Sequence, residues 1–353
     1  MALAAAAQAQ GGAPFVGPFH KTTKIASTVP ANGDVNPYGT VVVRASHGRL
    51  HKGSVIVSNF NDKQNLQGTG STIVQISPGG KQTLFAHIGK AKLPGPCPGG
   101  IGLTTALTVL PGGWVVVGSL PTTNGMAATA SAGCLLVLDN QGNVRETITG
   151  HGINGPWDMT ASSSGDHAAL FVTNVLNGTV AAHGKVAHLG TVLRLDLHLS
   201  GTMPPKLSSI TTVGSGFSER TDPSALVIGP TGVGLGRGGT LYVANSLGNR
   251  INAIPDALFR TTSAGKGQVI TGSGALSTPL GLTIAPDGDI LTVNAGNGEL
   301  VETTPSGHQV ATRTLDSSGT PPGAGALFGL AVAPRGAGVY YVDDAVNTLR
   351  LLH

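Results

Sequence analysis

Residues 279–310 read PLGLTIAPDGDILTVNAGNGELVETTPSGHQV. Four short apolar runs follow one another here: GLTIAP (281–286), DILTVN (289–294), GELVETT (298–304) and HQVAT (308–312). Each boundary carries a turn signal: Pro286-Asp287-Gly288, then Ala295-Gly296-Asn297-Gly298, then Pro305-Ser306-Gly307. Runs of four to eight β-branched and apolar residues between Gly, Pro and Asn clusters are strands, so the stretch predicts four successive antiparallel strands.

Variants of this unit recur along almost the whole chain. Working outward, the innermost strand of each copy is expected in NPYGTVVV (36–43), IGLTTALTVLPGG (101–113), GPWDMTAS (155–162), DPSALVIGP (222–230), the quoted stretch, and ALFGLAVAP (326–334). The residue closing each second strand is Asn59, Ser119, Asn174, Asn245, Asn294 and Asp343. The last two intervals are both 49 (294−245 and 343−294), close to the ~40–50 residues of a propeller blade. The longer third unit carries insertions at 175–189 and 198–206, which in repeat proteins map to loops. The sixth unit ends one strand short, and KTTKIASTV (21–29) is a strand without a unit. Pairing the two closes a ring and hides the edges an open array would expose. The expected fold is all-β: a six-bladed β-propeller over 19–353, closed by the N-terminal strand entering the last blade.

Composition agrees. Of 353 residues, 54 are glycine and only 11% are charged, which suits tight turns between short strands rather than long amphipathic helices. The net charge is +4, but the basic residues are scattered, the densest groups being HKTTK (20–24) and KAK (90–92). Neither makes a phosphate-tracking stripe, so nucleic acid is not an expected partner. No apolar run has the ~18 residues that span a bilayer. Residues 1–18 begin MALAAAAQAQGG, with Ala7-Gln8-Ala9 in the A-x-A form of a signal-peptidase site. They read either as the remnant of a secretion signal or as a disordered leader. The first implies a secreted or periplasmic protein, expected as a monomer. There, Cys97 and Cys134, the only cysteines, are expected to form one disulfide, the alternative being two unrelated thiols.

The repeats carry the pattern P-x-G-[LV] in Pro279-Leu280-Gly281-Leu282, a second-strand signature in Leu241-Tyr242-Val243-Ala244-Asn245, and N-[RT]-[IL] in Asn249-Arg250-Ile251. Over roughly residues 21–352 the chain resembles the NHL-repeat propellers, relatives of the gluconolactonases and streptogramin lyases. That resemblance implies binding modules as readily as enzymes, among them peptidylglycine amidating lyase. The amidating lyases hold metal with channel histidines, and the inner strands here have none. Gluconolactonases hold a divalent cation with Glu, Asn and Asp, and no glutamate precedes Glu146 where that pattern wants one.

Strand connectivity places the loop before each inner strand and the loop after each second strand on one face, called the top here. Ligand contact is expected there, at Trp157, Asp158, Asn174, Asp222, Asn245, Asn294, Asp343 and Asn59. Trp157 offers a stacking face, Asp158 puts a charge where Gly39, Gly281 and Gly329 stand in other units, and a ring of amides and carboxylates suits a polar ligand or a cation. Tying down turns is the competing role for the Asn series, and packing against a neighbouring blade is the competing role for Trp157. Asp158, Glu219 and Asp222 are the candidate acid–base groups. His87, His151, His183 and His188 fall in top loops and are the candidate metal ligands, for Zn, Ca or Mg, although lone surface histidines read the same way. The segment 234–239 fits G-x-G-x-x-G but joins two strands, so it is a hairpin loop. No G-x-S-x-G nucleophile elbow occurs. Two functions stay open: a propeller binding a small molecule, polymer or protein partner through its top loops, and a metal-assisted lyase or lactone hydrolase working at the top mouth.

Overall fold

The computed structural model describes residues 12–223 and 225–353. The expected leader lies outside these as far as residue 11, as does Ser224. The N-terminal strand β1 (Thr22–Ser27) precedes the first blade, which is β2 (Val35–Val42), β3 (Val55–Asn61), β4 (Thr72–Ile76) and β5 (Gln82–His87). The second blade is β6 (Leu103–Leu110), β7 (Trp114–Ser119), β8 (Cys134–Leu138) and β9 (Val144–Ile148). A larger third blade holds β10 (Pro156–Ser164), β11 (His167–Asn174), β12 (Ala187–His198), β13 (Lys206–Asp222) and β14 (Leu226–Ile228). The fourth is β15 (Pro230–Leu235), β16 (Leu241–Asn245), β17 (Arg250–Ile254) and β18 (Gln268–Gly272). The fifth, the stretch that opened the sequence reading, is β19 (Pro279–Ile284), β20 (Ile290–Asn294), β21 (Glu299–Thr303) and β22 (Gln309–Thr314). The sixth contains β23 (Leu327–Val332), β24 (Val339–Asp343) and β25 (Thr348–Leu352).

β1 completes the sixth blade as expected, antiparallel to β25 from Thr22 opposite Leu352 to Ser27 opposite Thr348. Each inner strand touches the next around the circle, β2 to β6, β10, β15, β19, β23 and back to β2, so the six sheets close into one propeller. Strands in the middle of a blade are covered on both faces by neighbouring blades. That is why β3, β4, β7, β8, β16, β20 and β24 are buried throughout, and why their sequences run apolar rather than alternate. Outer strands such as β18 and β22 are partly or fully exposed along their length. Separate apolar clusters fill the seams. Leu110, Val116 and Leu135 of the second blade meet Leu170, Val172 and Leu195 of the third, and Val293 and Leu300 of the fifth meet Tyr341 and Val339 of the sixth. At ~1.5–3 kcal/mol per fully buried aliphatic side chain, these seams dominate the stability.

The chain ahead of β1 is also tied down. Val16 is buried among Leu291, Leu300 and Tyr341. The buried Glu302 carboxylate accepts the N–H groups of Phe15 (2.7 Å) and Val16 (2.8 Å), while Arg313 donates to the carbonyls of Gly17 and Phe19. The expected boundary at residue 18 thus falls within a docked segment.

One inner strand differs from the sequence reading. Residues 222–230 do not form the innermost strand of the fourth blade. β14 turns back on β13, pairing Leu226 with Asp222 and Ile228 with Arg220, and belongs to the third blade. The fourth blade starts at Pro230-Thr231-Gly232, with Pro230 opposite Asn245 as Pro279 is opposite Asn294. The apolar Leu226-Val227-Ile228 run imitates an inner strand because it too is buried, as a lid over the channel. Cys97 and Cys134 form the expected disulfide, across 37 residues of sequence. Among the described residues no helix is long and apolar enough to cross a membrane.

Candidate functional site

Every inner strand begins with a bulge. Pro156 pairs with Asn174 and Met159 with Val172; Pro279 pairs with Asn294 and Leu282 with Thr292. Two residues on the inner strand thus face one on its neighbour, which turns a side chain toward the axis. The side chains so turned are Tyr38, Trp157, Leu280 and Phe328, all buried in one cluster. Tyr38 stacks on Phe328 of the adjacent blade at 4.0 Å and reaches Trp157, two blades away, at 6.2 Å. The contact between non-adjacent blades means that these rings meet across the channel. Trp157 is 3% exposed, so its ring presents no open stacking face at the top.

The second bulge position is glycine where the next blade comes too close for a side chain. A Cβ on Gly281 would stand 1.9 Å from the Phe328 carbonyl oxygen, and one on Gly329 2.1 Å from that of Tyr38. Asp158 takes this place in the third blade. Its Oδ1 accepts the Met159 N–H (2.8 Å), and its Oδ2 accepts the Val233 N–H of the fourth blade (3.1 Å). Burial pushes its pKa from 3.8 to about 8, the two N–H groups offsetting part of the rise. At neutral pH Asp158 is largely a protonated acid.

The third-blade insertion covers the top. Leu226 and Val227 of the β13–β14 hairpin join the Tyr38, Trp157, Leu280 and Phe328 cluster. At the hairpin tip the Pro223 carbonyl accepts from the Gln67 amide of the first blade (3.0 Å), and Asp222 accepts from Arg220 (3.2 Å) and the Ala225 N–H (3.1 Å). Glu219, expected as the acid–base partner of Asp222, is buried, and neither of its carboxylate oxygens makes a hydrogen bond by geometry. Burial raises its pKa to about 7.

Most of the asparagine series bonds within its own blade or the segment leading into it, and Asn59 also reaches Thr28 at the end of β1. Asn59 donates to the Thr28 carbonyl and Thr72 Oγ1; Asn174 accepts the Asn154 N–H; Asn245 accepts the Gly248 N–H; Asn294 donates to Ala275 and Asn297; Asp343 accepts from Arg350 at 2.9 Å. Asn174, Asn245 and Asn294 fasten turns, whereas Asp343 and Asn59 bond across to neighbouring strands. As a donor set for the divalent cation that the gluconolactonase resemblance implies, they are divided: Asn174 and Asn245 spend their Oδ1 atoms on backbone N–H groups, whereas Asn59 Oδ1, Asn294 Oδ1 and Asp343 Oδ1 are buried without a hydrogen-bond partner. His87, His151, His183 and His188 are exposed, and His188 is hydrogen-bonded to Ser218 (3.0 Å). Neither group of three ligating side chains found among the described residues includes any of the four.

Below the aromatic plug the channel is open. A cavity of about 1110 Å³ runs along the inner strands and emerges on the face opposite the top. Its wall includes Thr40, Thr108, Thr160, Thr283, Val42 and Leu330, and its mouth carries Arg44, His47, Lys52 and Arg335. Asp158 stands at the closed end and is the one acid among the described residues lining the cavity. His47 lies in the loop between β2 and β3 on this face. The basic residues of the mouth come from loops of two different blades, and only ring closure between blades six and one brings Arg335 near Arg44.

No family model matches the chain, and no curated protein matches it at a significant level. Solved structures do. A catalytically inactive virginiamycin B lyase from Staphylococcus aureus, solved with quinupristin, is 17% identical with a TM-score of 0.52, covering 94% of this chain and 84% of its own. A gluconolactonase from Xanthomonas campestris is 12% identical with a TM-score of 0.57, covering 94% and 88%. Regucalcin, a calcium-binding protein from Agrobacterium tumefaciens, is 15% identical with a TM-score of 0.57, covering 92% of each. At such identities the likeness is one of fold.

Proposed function

We propose that this propeller is an exported binding protein that takes a small organic anion, largely apolar in body, into its central channel through the face opposite the top. The observation that carries this reading is the polarity of the channel: a cationic mouth of Arg44, Lys52 and Arg335 leads to a wall of Thr, Val and Leu and ends at a protonated carboxyl. Because Asp158 is neutral, the cations are uncompensated along the cavity. Low-dielectric walls focus such a field and raise the local concentration of anions. The cavity's size suits a ligand of drug-like dimensions. The disulfide accords with export.

What supports the channel over the top-face loops is the filling of the top mouth by Tyr38, Trp157, Leu280, Phe328, Leu226 and Val227. A metal-assisted lyase or lactone hydrolase at that mouth would need converging donors, and these side chains supply none.

The test uses 8-anilinonaphthalene-1-sulfonate as probe, followed by fluorescence titration of the folded protein. One saturable site is expected, weakened about tenfold by the Arg44→Ala/Arg335→Ala double variant and by raised salt, and abolished by Thr160→Trp, which fills the channel. Undiminished binding in the Thr160→Trp variant puts the probe elsewhere and overturns the proposal.

A further inference from the structure

A second site stands at the outer end of the third blade, away from the channel. β10 and β11 are joined by the two-residue turn Gly165-Asp166, with Ser164 opposite His167. Gly165 has φ +59, the positive value such hairpin turns require at their first position. On the other side of β11, His167 is directly opposite His198 of β12. Cross-strand partners point to the same face of a sheet, and the two imidazoles lie with ring centres 5.8 Å apart.

The Asp166 carboxylate sits between them: Oδ1 is 3.2 Å from His167 Nε2 and Oδ2 is 3.6 Å from His198 Nδ1. One ligating atom from each residue lies within 4.8 Å of the others. A tetrahedral ion with metal–ligand bonds of ~2.0–2.2 Å needs ligand atoms roughly 3.3–3.6 Å apart. The two carboxylate–imidazole spacings, each to a different oxygen of Asp166, are already about those of coordination edges. The supports are stiff, since both histidines are held in ladder register and the Asp166 carbonyl accepts the Leu199 N–H (2.6 Å).

We propose that Asp166, His167 and His198 form a binding site for a divalent first-row transition ion, Zn2+, Cu2+ or Ni2+, with at least one coordination position open to solvent. Two imidazoles and one carboxylate select these ions over Ca2+ and Mg2+, which prefer all-oxygen sets. All three side chains are largely solvent-accessible, so the ion keeps water in its remaining positions. Lys206, opposite His198 on β13, adds a like charge on the same face.

Equilibrium titration of the full chain with Zn2+, and with Cu2+ followed by electron paramagnetic resonance, tests the site. The parent is expected to bind one equivalent, with a Cu2+ signal typical of nitrogen ligation. His167→Gln and His198→Gln, both at exposed positions, should each weaken binding at least tenfold, and the double variant should lose it. A His183→Gln/His188→Gln variant should bind like the parent. Equal titration curves for the parent and the His167→Gln/His198→Gln protein, or loss of the ion in the His183/His188 variant instead, would overturn the proposal.

Discussion

Asp158 makes a quantitative prediction. The residue is 8% exposed, and the pKa of its carboxyl rises from 3.8 to about 8 on folding. Between those values the folded chain holds a proton that the unfolded chain has released, so stability falls as pH rises. The slope for one proton is about 1.36 kcal/mol per pH unit. From pH 5.5 to 7.5, allowing for the partial ionisation of the folded group near its own pKa, the loss is roughly 2.5 kcal/mol. In Asp158→Asn this contribution vanishes. The amide adds a penalty, because its Nδ2 must face either the Met159 or the Val233 N–H, but that penalty does not vary with pH. Glu219 and Asp344, both raised to about 7 by burial, tilt parent and variant alike and cancel in the difference. Urea denaturation of both proteins at pH 5.5 and 7.5 measures it. The parent should lose about 2.5 kcal/mol more than the variant over this interval. Parallel curves, within about 0.5 kcal/mol, would refute a protonated Asp158 and remove the neutral end of the channel from the binding argument.

Two further predictions concern the ring. Deleting residues 1–30 removes β1, the partners of Glu302 and the buried Val16; it should lower stability by several kcal/mol, roughly 5, and an unchanged thermal midpoint would count against closure by β1. Reducing the Cys97–Cys134 disulfide, which spans 37 residues, should cost about 3–4 kcal/mol by the loop-entropy estimate, and two reactive thiols in unreduced, denatured protein would show that the bridge does not form.

The fold was legible because a propeller repeats its local signals. Pro-x-Gly at the bulge, the Asn or Asp closing the second strand, and the spare strand at one terminus with the missing strand at the other are dictated within one blade or by the need to hide edges. The fourth inner strand was misread where that logic is weakest. Leu226-Val227-Ile228 is apolar because it caps the channel, and only its pairing with β13 separates it from a strand of the ring. The site was less legible still. Trp157 and Asp158 stand out from the repeat, but whether an unusual residue faces solvent or the axis depends on the lid folded above it. His167 and His198 are 31 residues apart (198−167) and meet only through the β11–β12 register, which sequence spacing does not reveal.

The two ends of the channel differ in kind, and the difference narrows what can bind. At the top, close approach of neighbouring blades demands glycine at the second bulge position in most units, and aromatic or aliphatic side chains at the first position fill the axis. Filling that end with apolar groups removes water from around Asp158, and the same dehydration keeps its carboxyl protonated. Its two oxygens already accept N–H groups from Met159 and Val233, and in the binding mode proposed above the acidic proton donates to the ligand. At the other end the strands diverge into loops that carry Arg44, Lys52 and Arg335 in water. The ligand we propose has an anionic group outside, an apolar body along the Thr and Val wall, and a hydrogen-bond acceptor at its inner tip. Neutral ligands would forgo the field at the mouth, and cations would be repelled before reaching Asp158.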